Sequence, residues 1–133
     1  MTTLTTRLRI GSWDEAPTRE FDDGGKVTRA TVALAEGSDG LDAGTFESIM
    51  YYRPDGTSRY VTVMQLTGTL DGRSGSLVLT GEGDYDGTTA SGTFEIVPGS
   101  GTEHLAGITG TCRSASTHAD YPYMPLSLTY DLT

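Results

Sequence analysis

Hydrophobic and polar residues alternate with a period of two along most of the chain. Leu4, Thr6, Leu8 and Ile10 oppose Thr5, Arg7 and Arg9. Ala30, Val32 and Leu34 oppose Arg29 and Thr31. Near the end, Leu126, Leu128, Tyr130 and Leu132 oppose Ser127, Thr129 and Asp131. Such alternation marks strands with one buried and one wetter face. Apolar spacing of 3.6 over ten or more residues is missing, so no substantial helix is expected. The pattern predicts eight strands, at 4–13, 26–36, 44–53, 58–70, 74–85, 89–98, 109–118 and 125–132.

Asp-Gly dipeptides at 39–40, 55–56, 71–72 and 86–87 separate these runs. Both residues tolerate positive φ, which favours tight hairpins. The polar segment 16–25 reads as one loop, and 119–125 as a loop across one end. No linker interrupts the pattern, so residues 1–133 form one domain. Eight short antiparallel strands with hairpin links point to an all-β, up-and-down barrel; a sandwich is the alternative.

Hairpin pairing then assigns the faces. If Asp55-Gly56 is a two-residue turn, Met50 faces Val61. A turn centred on 71–73 sets Val63 opposite Gly81 and Gln65 opposite Leu79. A tight turn at Asp86-Gly87 sets Leu79 opposite Phe94. The expected inner set is Phe46, Met50, Tyr52, Val61, Val63, Gln65, Leu77, Leu79, Phe94 and Ile96. Glu47, Tyr51, Tyr60, Thr62, Met64 and Thr80 would face outward. The outer face, with Ile49, Tyr51, Tyr60, Met64, Leu66 and Val78, is apolar enough to suggest a homodimer interface, or a terminal strand or loop laid over it. One bulge would reverse every assignment upstream of it.

Composition narrows the chemistry. A net charge of −9 argues against nucleic acid, whose phosphates reward basic surfaces. No run approaches the ~20 apolar residues of a membrane span. Arg7 and Arg9 sit in a threonine-rich start without an apolar core, so no secretory signal is expected and the setting is cytoplasmic. The one cysteine, Cys112, offers no disulfide and no metal-ligand spacing, and reads as a buried filler. No metal or other cofactor is expected. Ser74, Ser76 and Ser100 lack a hydrolase arrangement, and the glycines at 99–101 suit a turn closing one end better than a phosphate loop. His104 reads as a solvated loop residue. Glu47 would become a general base only if the register moved by one.

Several segments together carry a family resemblance. They are Trp13-Asp14-Glu15, Glu47 to Tyr52, Asp55-Gly56-Thr57, Gly68 to Ser76, Val97 to Thr102, Leu105 to Gly110, His118 and Tyr130-Asp131-Leu132. The chain resembles a bacterial family of small domains of unknown function, related in fold to allene oxide cyclase. That resemblance implies a calycin-like eight-stranded barrel with a central cavity. Where relatives tend to carry Glu-Arg and Gln-His, this chain has Met64-Gln65 and Thr80-Gly81. With 65 and 81 inward, the lumen would be uncharged and roomy.

The family it resembles carries no agreed reaction, but some bacterial barrels of allene-oxide-cyclase-like architecture act as pericyclases, and that analogy with the apolar lumen points to a cofactor-independent cyclase or isomerase of polyketide biosynthesis. It would fold an apolar polyene for cyclisation, for example as a pericyclase or Diels–Alderase in a [4+2] cycloaddition. Near-attack positioning supplies ~7–11 kcal/mol in such reactions. Gln65, Tyr52 and His118, with Tyr121, are the expected hydrogen-bond donors. Trp13, Met50, Val63, Leu79, Phe94 and Tyr121 form the expected substrate wall, and Met50, Met64 and Met124 would tolerate irregular ligands. The alternatives are a non-catalytic, lipocalin-like carrier of a hydrophobic ligand, or a structural protein with a filled barrel.

Overall fold

Eight antiparallel strands carry most of the chain: β1 (Thr2–Glu20), β2 (Lys26–Ala35), β3 (Leu41–Tyr52), β4 (Ser58–Leu70), β5 (Arg73–Tyr85), β6 (Thr89–Ile96), β7 (Thr109–Thr117) and β8 (Tyr123–Asp131). The computed structural model describes residues 1–37 and 40–132. Asp39 of the expected Asp39-Gly40 turn lies outside the described residues. Each strand pairs with its sequence neighbours, and β1 returns to β8.

Two features correct the expected uniform barrel around a central cavity. First, β1 meets β8 only through Thr2–Arg9 and Tyr123–Tyr130. Beyond Arg9, β1 pairs with β2 alone, and beyond Arg113, β7 pairs with β6 alone. The wall therefore splits at one end, and residues 118–122 cross the gap, with Pro122 accepting a hydrogen bond from the Ile10 amide at 2.8 Å. Second, the middle and the opposite end are filled by side chains. Leu8, Leu41, Met64, Leu66, Leu77, Leu79, Ile96 and Leu128 are fully or almost fully buried there.

A loop seals the filled end. Residues 97–108 fold beneath it and bury Leu105 and Ile108. Because β6 stops at Ile96, this loop takes over the free edge of β5. The Val97 amide donates to Val78 O at 2.8 Å, and the Thr102 amide to Ser76 O at 2.9 Å. The Thr102 hydroxyl accepts from the Ser76 amide at 3.0 Å. The Gly72–Ser76 and Pro98–Thr102 runs, the most distinctive motifs in the sequence, thus act as a latch on the core.

The predicted faces hold on β3, β5 and β6 and reverse on β4. Asp55-Gly56 lies within a five-residue connection, so Met50 pairs with Tyr60 and not Val61. Asp55 Oδ1 holds that connection by accepting from the Thr57 amide at 2.9 Å and the Thr57 hydroxyl at 2.7 Å. The next turn is the two-residue Asp71-Gly72, both at positive φ, so Val63 pairs with Thr80. These two expected pairings were each one residue out, and the second offset undid the first; the third was two out, Leu79 pairing with Ile96 and not Phe94, which leaves the faces of β5 and β6 unchanged. Tyr60, Thr62, Met64 and Leu66 therefore face inward, while Val61, Val63 and Gln65 face outward. Val61 is 53% exposed and Val63 56%.

The expected outer apolar set changes accordingly. Ile49, Tyr51, Val61 and Val63 form the exposed strip, and Phe21 stacks edge-on against Tyr51 at 6.0 Å. Glu47 faces outward in an ion pair with Arg29 at 2.9 Å. The expected loop at 16–25 also shortens, because β1 continues to Glu20. Pro17 is tolerated there because that part of β1 has a strand neighbour on one side only.

Candidate functional site

The split end of the sheet holds a cavity of about 400 Å³. Its position begins with a single extra residue. Ile10 pairs with Leu34 and Ser12 with Ala33, which leaves Gly11 as a bulge. A bulge reverses the phase of a strand. Leu8 and Ile10 face inward before it, and Trp13 and Glu15 take the inward phase after it, opposite Val32 and Ala30.

Glu15 then organises the rim. Its Oε1 accepts from Trp13 Nε1 at 3.0 Å. Its Oε2 accepts from the Thr28 and Tyr52 hydroxyls, both at 2.8 Å. Burial opposes its charge, but the Trp13, Tyr52 and Thr28 donors, with Lys26 nearby, hold the carboxyl below its ordinary range. Burial, reinforced by the Glu15 carboxylate, pushes the Tyr52 phenol up to about 12, so it remains a donor. Trp13 meets Phe46 edge-on at 6.0 Å, joining the rim to the cavity floor.

Phe46, Met50 and Phe94 form the apolar floor, and Trp13, Tyr52, Tyr85 and His118 ring the mouth. Tyr85 Oη lies 3.0 Å from His118 Nε2 and 2.9 Å from Gly87 O, to which it donates. Tyr60 pairs with Gly83, which faces Gly92 on β6. Without side chains at those positions, the Tyr60 ring reaches across β5 towards β6. Phe94 similarly occupies the space over Gly81, where a Cβ would lie 2.6 Å from Phe94 Cδ1. The room expected from Gly81 is therefore already taken by that ring.

Of the expected site residues, the fold gathers Trp13, Met50, Tyr52, Phe94 and His118 around the cavity. Gln65 and Val63 point outward, for the register reason given above. Leu79 is fully buried in the filled part, and Tyr121 is 70% exposed outside the lining. Cys112 is buried, which pushes its thiol up to about 12 and keeps it unreactive. Ser48, Tyr60, Thr62 and Tyr85 line the cavity but were not expected there: Tyr60 and Thr62 lie on reversed β4, Ser48 is a small polar residue sharing the inward phase of Met50, and Tyr85 sits at a strand end. Among the described residues, no cluster of three or more His, Cys, Asp or Glu could hold a metal ion. Among the described residues, no helix is long and apolar enough to cross a membrane.

The Glu15 network has a pH signature. A carboxyl whose folded pKa is depressed stabilises the fold above its unfolded value, near 4.5, and the contribution disappears as pH falls through the folded pKa. Glu15→Gln should cost about 1 kcal/mol at pH 7, after discounting for its exposure. The gap between the urea midpoints of the two proteins should be smaller at pH 3 than at pH 7. An equal gap at both pH values would show that the charge on Glu15 is irrelevant.

Residues 4–130 match DUF3224, described as a protein of unknown function. The chain belongs to the DUF3224 family. A crystal structure of a DUF3224 protein of unknown function from Shewanella oneidensis MR-1 is similar to it, with a TM-score of 0.75 and 22% identity. The similarity covers 100% of this chain and 98% of that one, and at this identity it shows the fold alone. No curated protein matches the chain.

Membership of DUF3224 corrects the wider kinship expected from the sequence. Neither the family description nor the matched structure ties the chain to allene oxide cyclase or to the calycins. The split wall and end-placed cavity also depart from a barrel around a central lumen. The cyclase, pericyclase and Diels–Alderase descriptors rested on that fold kinship and on an apolar lumen, and neither the family description nor the matched structure backs them.

Proposed function

We propose that this DUF3224 chain is a carrier that binds an uncharged, largely apolar small molecule in the end cavity. The observation that carries the reading is the lining. Among the described residues, no Asp, Glu, Lys or Arg contributes to it, although charged residues make up 20% of the chain. A permanently charged ligand would lose its hydration there without gaining a counter-charge. A volume of about 400 Å³ suits a small organic molecule. Met50 and Met124 add adaptable apolar surface. The cytoplasmic setting belongs to this proposal, and a lone buried thiol is compatible with it.

The test uses N-phenyl-1-naphthylamine, a neutral dye that brightens in apolar surroundings. Saturable binding to the wild-type protein is expected. Ala90 lies at the rim, paired with Tyr85 and Ser116. Ala90→Trp should fill the mouth and weaken binding at least tenfold, with an unchanged melting temperature. Absence of saturable binding, or identical affinity in the folded variant, would refute the carrier reading.

A further inference from the structure

Resting on that carrier reading, we propose that the Ser48–Thr62 hydroxyl pair is a polar anchor for the ligand, and that the ligand is a neutral ring compound bearing a carbonyl. The two hydroxyls lie on adjacent strands β3 and β4, at paired positions. Their oxygens are 2.6 Å apart. Both residues line the cavity, and only 3% of Ser48 and 5% of Thr62 is exposed.

Hydrogen counting makes this pair an unfinished site. Each hydroxyl has one hydrogen to give and two lone pairs to receive. The mutual bond uses one of the two hydrogens. Neither residue has another side-chain partner among the described residues, so one O–H remains to be donated from a nearly dry position. Leaving a buried donor unmatched is costly, and a ligand oxygen that only accepts would complete it. A carbonyl fits that requirement and carries no charge, in keeping with the lining.

The surroundings favour a flat ring system on that carbonyl. Phe46 and Phe94 flank the floor, and Tyr60 lies across the glycine row beside them. Aromatic faces and edges recognise other aromatic faces. The ligand oxygen would point inward to Ser48 and Thr62, with the rings between the floor and the Trp13–Tyr52 rim.

The pair is redundant as a donor, which gives a distinctive test. In Thr62→Val, Ser48 keeps a hydrogen to donate; in Ser48→Ala, Thr62 does. Only the double variant removes the anchor, and replacing both partners by apolar groups is close to neutral for stability. The probes are 6-propionyl-2-dimethylaminonaphthalene, a neutral ketone whose emission shifts to the red when its carbonyl accepts a hydrogen bond, and N-phenyl-1-naphthylamine, which has no carbonyl. Wild type should bind both. Each single variant should keep ketone affinity within about threefold. Ser48→Ala/Thr62→Val should lose about tenfold for the ketone alone, with a blue-shifted emission. Equal effects on both dyes, or no loss of ketone affinity in the double variant, would overturn the anchor while leaving the carrier reading standing. Failure of the wild type to bind either dye would overturn both. If the double variant does not fold, loss of ketone red shift across the two single variants still decides against the redundant donor.

Discussion

Leu105→Ala is expected to lower the stability of this DUF3224 protein by about 2–5 kcal/mol. Leu105 is fully buried at the end of a short 3-10 helix, Glu103–Leu105, in the loop that seals the filled end. The loop approaches β5 so closely that a Cβ on Gly75 would collide with Thr102 O and lie 3.2 Å from Leu105 Cγ. Hydrogen bonds from residues 97–102 hold the loop along β5 and limit its collapse into the void left by truncation. Urea unfolding measures the loss, and a change below about 1 kcal/mol would mean that the loop is not part of the core. Affinity for N-phenyl-1-naphthylamine should be preserved in the folded fraction, because the cavity occupies the opposite end.

Gly83→Ala should act on both stability and binding. A Cβ there would clash with Ser91 O and Tyr60 Oη, and would stand 2.5 Å from Tyr60 Cζ. The ring can move, but the backbone oxygen belongs to the paired strand β6 and cannot yield freely. Overpacking of this kind costs about 1–3 kcal/mol. The displaced ring would enter the cavity and reduce dye affinity severalfold. Gly11→Ala supplies the contrast, since its nearest neighbour, Ala33 O, would lie 3.7 Å away, an ordinary contact. It should change stability by no more than about 0.5 kcal/mol. Equal urea midpoints for the two variants would refute the packing role of the Gly83 gap.

Much of the strand pattern was legible in the residues themselves. β4 runs from Ser58 to Leu70, the span its alternation predicts, and the other predicted strands overlap their observed counterparts. Met50, Tyr52 and Phe94 could be proposed as site residues because large side chains on inward phases are informative, whereas Trp13 and His118 came from the segments that carry the family resemblance, since simple alternation sets Trp13 outward and only the Gly11 bulge turns it in. Gln65 and Val63 were misplaced because turn length is not written in an Asp-Gly dipeptide. The same dipeptide forms a two-residue turn at 71–72 and part of a longer connection at 55–56. Glu15 was hidden differently. It lies in a polar stretch resembling a loop, and only the Gly11 bulge gives it the phase that brings Trp13, Thr28 and Tyr52 to its carboxylate.

By itself, then, the sequence determined an all-β chain of eight antiparallel strands, and which residues of most strands are buried. Those properties follow from local alternation, to which each strand contributes independently. Only the tertiary structure decided which face of β4 is inside, where the wall splits, and that the cavity sits at one end above a filled core. These depend on one-residue differences in turns and bulges. Such a difference leaves the alternation of a strand intact but reverses the direction of every side chain beyond it.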